Sequence, residues 1–412
     1  MNVHANAAGL GPGAEIESRY AWLRLAAALV LGTIGSIGMW SFVVALPAVQ
    51  AAFGVTRGEA SLAFTLTTIG FGLGGIVLGR FADRRGIVWP VTCGALVLGA
   101  GYVLSARADS ITQFALAQGL IGFGASATFG PLMSDMSHWF ARRRGIAVAV
   151  ASCGNYLAGT VWPPVVQHFI ASQGWRATHV GIGVLCVLTM LPLVLVMRRP
   201  TPRSPAHEVA AGPGPRDSLG VSPNTLMVLL CIAGVGCCVA MAMPQVHIVA
   251  YCGDLGYGPA RGAEMLAAMM GFGIVSRIAS GFLADRIGGL QTLLMGSVLQ
   301  GVALFLYLWF DGLVSLYVIS ALFGLFQGGI VPMYAIIVRE HFSPAETGTR
   351  LGIVLMATLI GMALGGWLSG AIFDLTGSYR AAFLNGLAWN MLNGGIVLWL
   401  LLRPRSPRLA TA

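Results

Sequence analysis

Arg277 is the residue in this 412-residue chain whose type and placement point most directly to chemistry. It lies inside an apolar run, eight positions before Asp285, or about 12 Å at the helical rise of about 1.5 Å per residue. A guanidinium that far from a helix end costs roughly 2.5–3.5 kcal/mol to insert into hydrocarbon, so it must face water or a counter-charge. Its fork of donors fits a carboxylate held by two hydrogen bonds. Asp254, 23 residues earlier, and His247, about two turns deeper on the same helix, are side chains able to take up a proton. An ordinary outer-loop acid and a histidine with one satisfied hydrogen bond are the plainer readings of those two. Asn155, Tyr156 and Tyr334 interrupt small-residue helices and, with Trp40, complete a candidate binding set. Gln118, Gln327, Asn385, Trp389 and Asn393 are further polar or aromatic candidates, and hydrogen bonding between helices is an equal use for any of them. Asp83-Arg84 and Asp285-Arg286 stand at segment ends, where such pairs can act as a latch or remain solvated ion pairs worth about 0–1 kcal/mol.

These groups need a scaffold, and composition says which solvent surrounds it. Hydrophobic residues make up 56% of the chain, charged residues 9%, and the mean hydropathy is +0.79. A soluble domain carries about 25% charged residues. The 57 glycines and 19 prolines are spread through the apolar runs, as membrane helices tolerate. About 20 apolar residues cross the hydrocarbon core, and runs of that kind number twelve. They lie near 22–48, 60–80, 88–106, 111–136, 145–170 and 177–197, then near 223–250, 262–284, 289–310, 313–338, 348–373 and 380–402. The expected fold is all-α, with six-helix halves at 1–197 and 223–412 joined by a Pro-, Gly- and Arg-rich linker at 198–222.

Arginine placement sets the orientation, since the chain has no lysine. With the N-terminus in the cytoplasm, 18 of 24 arginines fall on the cytoplasmic side, five on the outer side (57, 107, 176, 261, 380) and one, Arg277, within a span. Both termini are thus expected in the cytoplasm, in the cell (inner) membrane. The formal charge of +9 then belongs at the anionic lipid surface, and no nucleic-acid partner is needed. No short apolar core with a small-residue cleavage site occurs near Trp22, so no cleaved leader is expected. The seven cysteines show no metal-ligand spacing, and Cys237 and Cys238, as helix neighbours, are expected to point apart. No cofactor or metal, no soluble signalling domain and no nucleophile–base spacing is read, which sets an enzyme or sensor aside.

The two halves repeat one another. Gly79-Arg80-Phe81-Ala82-Asp83-Arg84-Arg85-Gly86 matches Gly281-Phe282-Leu283-Ala284-Asp285-Arg286-Ile287-Gly288 at an offset of 202. Pro131 pairs with Pro332, Phe140 with Phe342, and Trp175-Arg176 with Tyr379-Arg380. Six spans per half make the repeat parallel. The doubled Gly-x-x-x-Asp-Arg-x-Gly segment resembles the loop motif of the major facilitator superfamily. Within it the chain is similar to the monocarboxylate transporter and oxalate–formate antiporter group through most of its length. The likeness runs through Gly38-Met39-Trp40-Ser41-Phe42, Leu46-Pro47, Phe53-Gly54-Val55-Thr56-Arg57, His138-Trp139-Phe140-Ala141-Arg142-Arg143-Arg144-Gly145, Trp162-Pro163-Pro164, Gly174-Trp175-Arg176, His247-Ile248-Val249-Ala250-Tyr251 and Asp254-Leu255-Gly256-Tyr257, and ends on Arg277.

The resemblance implies that Arg277 binds a substrate carboxylate and that the charge motifs gate a rocking motion. Two departures matter. Some of the resembled carriers place an acid one turn before the arginine, where this chain has Gly273, so coupling falls to Asp254 or His247. Oxalate-type antiporters use a second cation, a lysine, in the eleventh helix, where Ile353–Ile360 offers none, which favours one carboxylate over two. The expected activity is secondary transport of a small, lactate- or pyruvate-like organic monocarboxylate by proton symport or anion exchange. Small organic anion, protons and membrane lipid are the expected partners, with a monomer as the unit. Efflux of anionic or neutral drugs or metabolites on the same fold is the alternative; a buried Arg argues against lipophilic cations.

Overall fold

The computed structural model describes residues 16–200 and 219–403. All but the two ends of the 198–222 linker therefore lies outside the described residues. The chain runs α1 (Arg19–Gly35), α2 (Ile37–Phe53), α3 (Arg57–Arg85), α4 (Val88–Ala106), α5 (Ile111–Ser126), α6 (Gly130–Trp139) and α7 (Arg144–Val194), then α8 (Pro223–Asp254), α9 (Pro259–Ile287), α10 (Gly289–Trp309), α11 (Leu313–Gln327), α12 (Ile330–His341), α13 (Pro344–Thr376) and α14 (Tyr379–Leu402). No strand occurs among the described residues.

Local chemistry marks the helix ends. Thr56 and Glu59 form a reciprocal capping box at the start of α3, Ser110 caps α5, and Ser222 caps α8 ahead of Pro223. The repeated motif glycines close α3 and α9 alike: Gly86 sits at φ 79°, ψ 171° and Gly288 at φ 88°, ψ 163°. That left-handed backbone favours glycine, so the offset-202 repeat is a repeat of turn geometry as well as of letters.

By length and composition, ten helical stretches among the described residues can cross a membrane. Two features separate this number from the expected twelve. The 111–136 segment is interrupted at 127–129 into α5, with 16 residues, and α6, with 10. The 145–170 and 177–197 segments join into one apolar stretch, Gly145–Met197, because the turn between them is only Gly174, at φ 82°, ψ 160°. Large apolar side chains such as Val314 and Leu375 are exposed on the periphery, as a surface in lipid requires.

Breaks inside helices have packing reasons. The chain bends between α1 and α2 at Ser36, and a Cβ on neighbouring Gly35 would meet the Thr128 side chain at 2.4 Å, so the bend seats on the α5/α6 interruption. The helices before residue 200 and those after 219 meet along α3 with α13 and α7 with α9. Toward the Arg57 end these contacts are tight: a Cβ on Gly370 would meet the Arg57 carbonyl at 3.0 Å, and one on Gly58 would meet Ala371 Cα at 3.2 Å. Toward the Asp83/Asp285 end the same helices separate, and Gly75 on α3 and Gly352 on α13 have no neighbour within 4 Å of an added Cβ.

Candidate functional site

That separation leaves a cavity of about 430 Å³. Trp40, Asn155, Tyr156 and Arg277 all line it, so four of the five candidate binding residues come together. Among the described residues Arg277 is the single charged side chain in the lining. Its guanidinium carbon lies 4.3 Å from the centre of the Tyr156 ring, and its buried Nε has no hydrogen-bond partner among the described residues. A face-on aromatic ring offsets part of a cation's desolvation while leaving the planar donor edge free. Trp40 Nε1 donates to the Asn155 carbonyl at 3.2 Å, tying α2 to α7.

Gly273 explains the ring's position. A Cβ there would come 2.4 Å from Tyr156 Cε1. The place where an acid was sought is thus filled by the aromatic cap of Arg277. Gln245, Thr358 and Ser126 add polar atoms to the lining that sequence reasoning did not single out.

Tyr334 does not line the cavity: it is buried and donates to Asn393 Oδ1 at 3.2 Å, while Asn393 Nδ2 donates to Ser297 at 2.9 Å. The tyrosine serves helix contact among α10, α12 and α14. His247 is also outside the lining; its Nε2 bonds the Gly366 carbonyl at 2.8 Å, and a carbonyl only accepts, so Nε2 carries the hydrogen and buried Nδ1 has no partner among the described residues. Cys237 and Cys238 do not point apart, since their sulfurs lie 3.5 Å from each other.

Asp254 ends α8 away from Arg277 and engages Arg57, with Arg57 Nη1 and Nη2 donating at 3.1 and 3.4 Å. Tyr379 Oη donates to the same carboxylate at 3.1 Å, and Arg57 also contacts that hydroxyl. Arg57 Nε donates to Gln50 at 2.6 Å. Asp374, from α13, accepts the backbone N–H groups of Arg57 and Gly58 at 2.8 and 2.6 Å, a charged cap on the N-terminus of α3. This network bridges helices from both parts of the chain, and it was not legible because Arg57 and Asp374 lie more than 300 positions apart.

At the opposite end, Asp83, Arg84, Asp285 and Arg286 are exposed and form no ion pair among the described residues. One further correction concerns arginine. Arg277 is not alone within a span: Arg24 is buried in α1 and makes a two-pronged ion pair with Asp135 of α6 at 2.8 and 2.9 Å. It also donates to the carbonyls of Met197 and Arg199 at 2.9 and 3.0 Å. The signal was present, since Asp135 falls inside the 111–136 segment.

Comparison with known proteins adds family. A model described as the Major Facilitator Superfamily matches residues 28–319 and 274–412. The chain is 28% identical over 383 residues to monocarboxylate transporter 13 of Bos taurus, covering 90% of this chain and 86% of that one. It is 25% identical over 328 residues to the agnestins efflux protein AgnL12 of Paecilomyces divaricatus, covering 79% and 73%. Among solved structures, a bacterial homologue of the human lysosomal transporter Spinster, described as inward-facing and occupied, superposes with a TM-score of 0.70 at 15% identity over 94% of this chain and 96% of that one.

Proposed function

The chain belongs to the major facilitator superfamily, a family of multi-pass membrane transporters and not of enzymes, and on that premise we propose that it is a secondary transporter of an organic monocarboxylate. Arg277 carries the reading: one cation, free of any ion pair among the described residues, in a cavity between two groups of helices. One buried cation suits one carboxylate. Similarity to a monocarboxylate transporter supports the same substrate class.

In this reading the cell membrane is crossed twelve times, with both termini cytoplasmic. Helices α1–α7 and α8–α14 form the two halves that rock about the central site. The cavity then opens to the cytoplasm past Asp83 and Asp285, and the Arg57, Asp254 and Asp374 network shuts the outer end. The exposed Asp83-Arg84 and Asp285-Arg286 motifs are the latch of the opposite state, when the inner end closes. Proton symport and anion exchange are the two coupling modes. Asp254 is the proton carrier of the symport mode, because a protonated carboxyl loses its attraction for Arg57 and loosens the outer closure. His247, about two turns deeper on α8 and bonded to α13 through Gly366, is the second proton site.

Uptake into proteoliposomes of a labelled monocarboxylate that the protein binds tests the role of Arg277. Removing one partner of a buried charge pair costs about 2–5 kcal/mol, so Arg277→Gln is expected to lower uptake at least about 30-fold. Arg277→Lys keeps the charge, loses the fork and falls between. Unimpaired uptake by Arg277→Gln would sink the assignment.

A second reading has its own observation: most of the cavity wall is apolar, and a relative is named as an efflux protein. Efflux of anionic or neutral metabolites would appear as raised resistance in an efflux-deficient host and would survive Arg277→Gln for neutral cargo.

A further inference from the structure

We infer that the cargo is a carboxylate carried on a bulky apolar body, aromatic or branched, rather than a three-carbon acid. This rests on the monocarboxylate reading of Arg277 and sharpens it. The cavity volume of about 430 Å³ lies in the range of about 300–1,000 Å³ that holds drug-sized ligands. A three-carbon acid such as pyruvate is far smaller than the drug-sized ligands that fill such a space.

Wall chemistry points the same way. Six methionines, Met39, Met133, Met241, Met270, Met356 and Met362, line the cavity together with aromatic rings from α2, α3 and α7. Methionine is flexible and polarisable, and surfaces rich in it adapt to apolar partners of varied shape. The polar lining groups Asn155, Gln245 and Thr358 carry no charge, so the acid has one charged anchor and the rest of the ligand meets thioether and ring. A three-carbon acid at Arg277 leaves that wall wetted, with no gain from burial; each methylene or ring carbon added to the acid covers part of it. Closing the Asp83/Asp285 end shrinks the volume but leaves the helices that line it unchanged, so the apolar lining persists through the cycle.

The test uses the purified full-length protein and a graded panel: acetate, pyruvate and lactate against hexanoate, benzoate, phenylacetate and 4-phenylbutyrate, each beside its methyl ester. Thermal shift gives apparent affinity, and competition against uptake of labelled benzoate in proteoliposomes gives occupancy of the transport path. The expected result is affinity rising about fourfold per added methylene equivalent until the body exceeds the cavity, with esters much weaker and Arg277→Gln abolishing the response to every acid. Met241→Ser and Met356→Ser are expected to flatten that slope. Equal or better binding of the three-carbon acids overturns the inference and leaves the monocarboxylate reading standing. Esters binding as well as acids, or no acid binding at all, overturns that reading itself.

Discussion

At the scale of single residues, the site depends on an absence. Gly273 has no side chain, so the Tyr156 ring reaches a point 2.4 Å from where a Cβ would stand and lies 4.3 Å beneath the Arg277 guanidinium. A cation–π contact is worth about 0.5–2 kcal/mol, which sets the expected effect of losing the ring at about 2- to 30-fold in carboxylate affinity. Tyr156→Leu should show that loss and Tyr156→Phe should not, since the face is what touches Arg277. Gly273→Ala should resemble Tyr156→Leu, because backbone holds the glycine and the ring must give way. Thermal shift with a bound acid measures all three; full affinity in Gly273→Ala would refute the positioning role. That Arg277 would line a cavity was legible in its type and depth. Its partner was not, because a cation over an aromatic ring leaves no trace in spacing, and the residue that permits it reads as a missing acid.

At the scale of elements, two ion-pair systems do different work. Arg24 and Asp135 join α1 to α6 within the first seven helices, both buried, and Arg24 also holds carbonyls at the end of the 145–197 stretch. Breaking a buried pair costs roughly 3–5 kcal/mol, so Asp135→Asn is expected to lower the melting temperature sharply. Any protein that folds should still respond to carboxylates, because neither Arg24 nor Asp135 lines the cavity; a retained melting temperature would count against the anchor. The Arg57 network instead joins α3 to α8, α13 and α14, where a transporter that rocks must separate them. Asp254→Asn removes the charge that holds Arg57 and is expected to uncouple uptake from an imposed pH gradient while exchange of labelled for unlabelled substrate continues. Gradient-driven uptake equal to the unmodified protein would exclude Asp254 as the proton carrier. Element positions were legible within a few residues from apolar run length, because lipid admits few other solutions. The helix count was obscured where one glycine, Gly174, makes a whole turn, and where α5 and α6 are halves of one run.

At the scale of the molecule, the two ends of the α3/α13 seam are in opposite states. Near Arg57 the helices touch through Gly58 and Gly370, whose added Cβ atoms would find neighbours at 2.9 Å. Near the other end Gly75 and Gly352 line the cavity and face open space. In the proposed reading of two related halves that rock about the site, small-residue seams stand at both ends, and one closes as the other opens. Small residues at an open seam have no packing role in the state where it is open, so their use belongs to the closed state, where backbones must approach. Gly75→Trp and Gly352→Trp are therefore expected to leave this conformation intact. Folding should be undisturbed or slightly favoured, since glycine inside a helix costs about 1 kcal/mol relative to better formers. Binding of a small acid such as acetate at Arg277 should persist, but the end where Gly75 and Gly352 stand should no longer close, so uptake and exchange should both fall by an order of magnitude or more. Gly370→Trp is the contrasting variant: it collides with Arg57 and Ser61 as they now stand, and should expel the protein from this state. Accessibility of a cysteine placed at Ser61 to an impermeant maleimide reads that state directly. Labelling should rise in Gly370→Trp and fall in Gly352→Trp. Unchanged labelling in both, with transport intact, would mean that the seam does not gate the path.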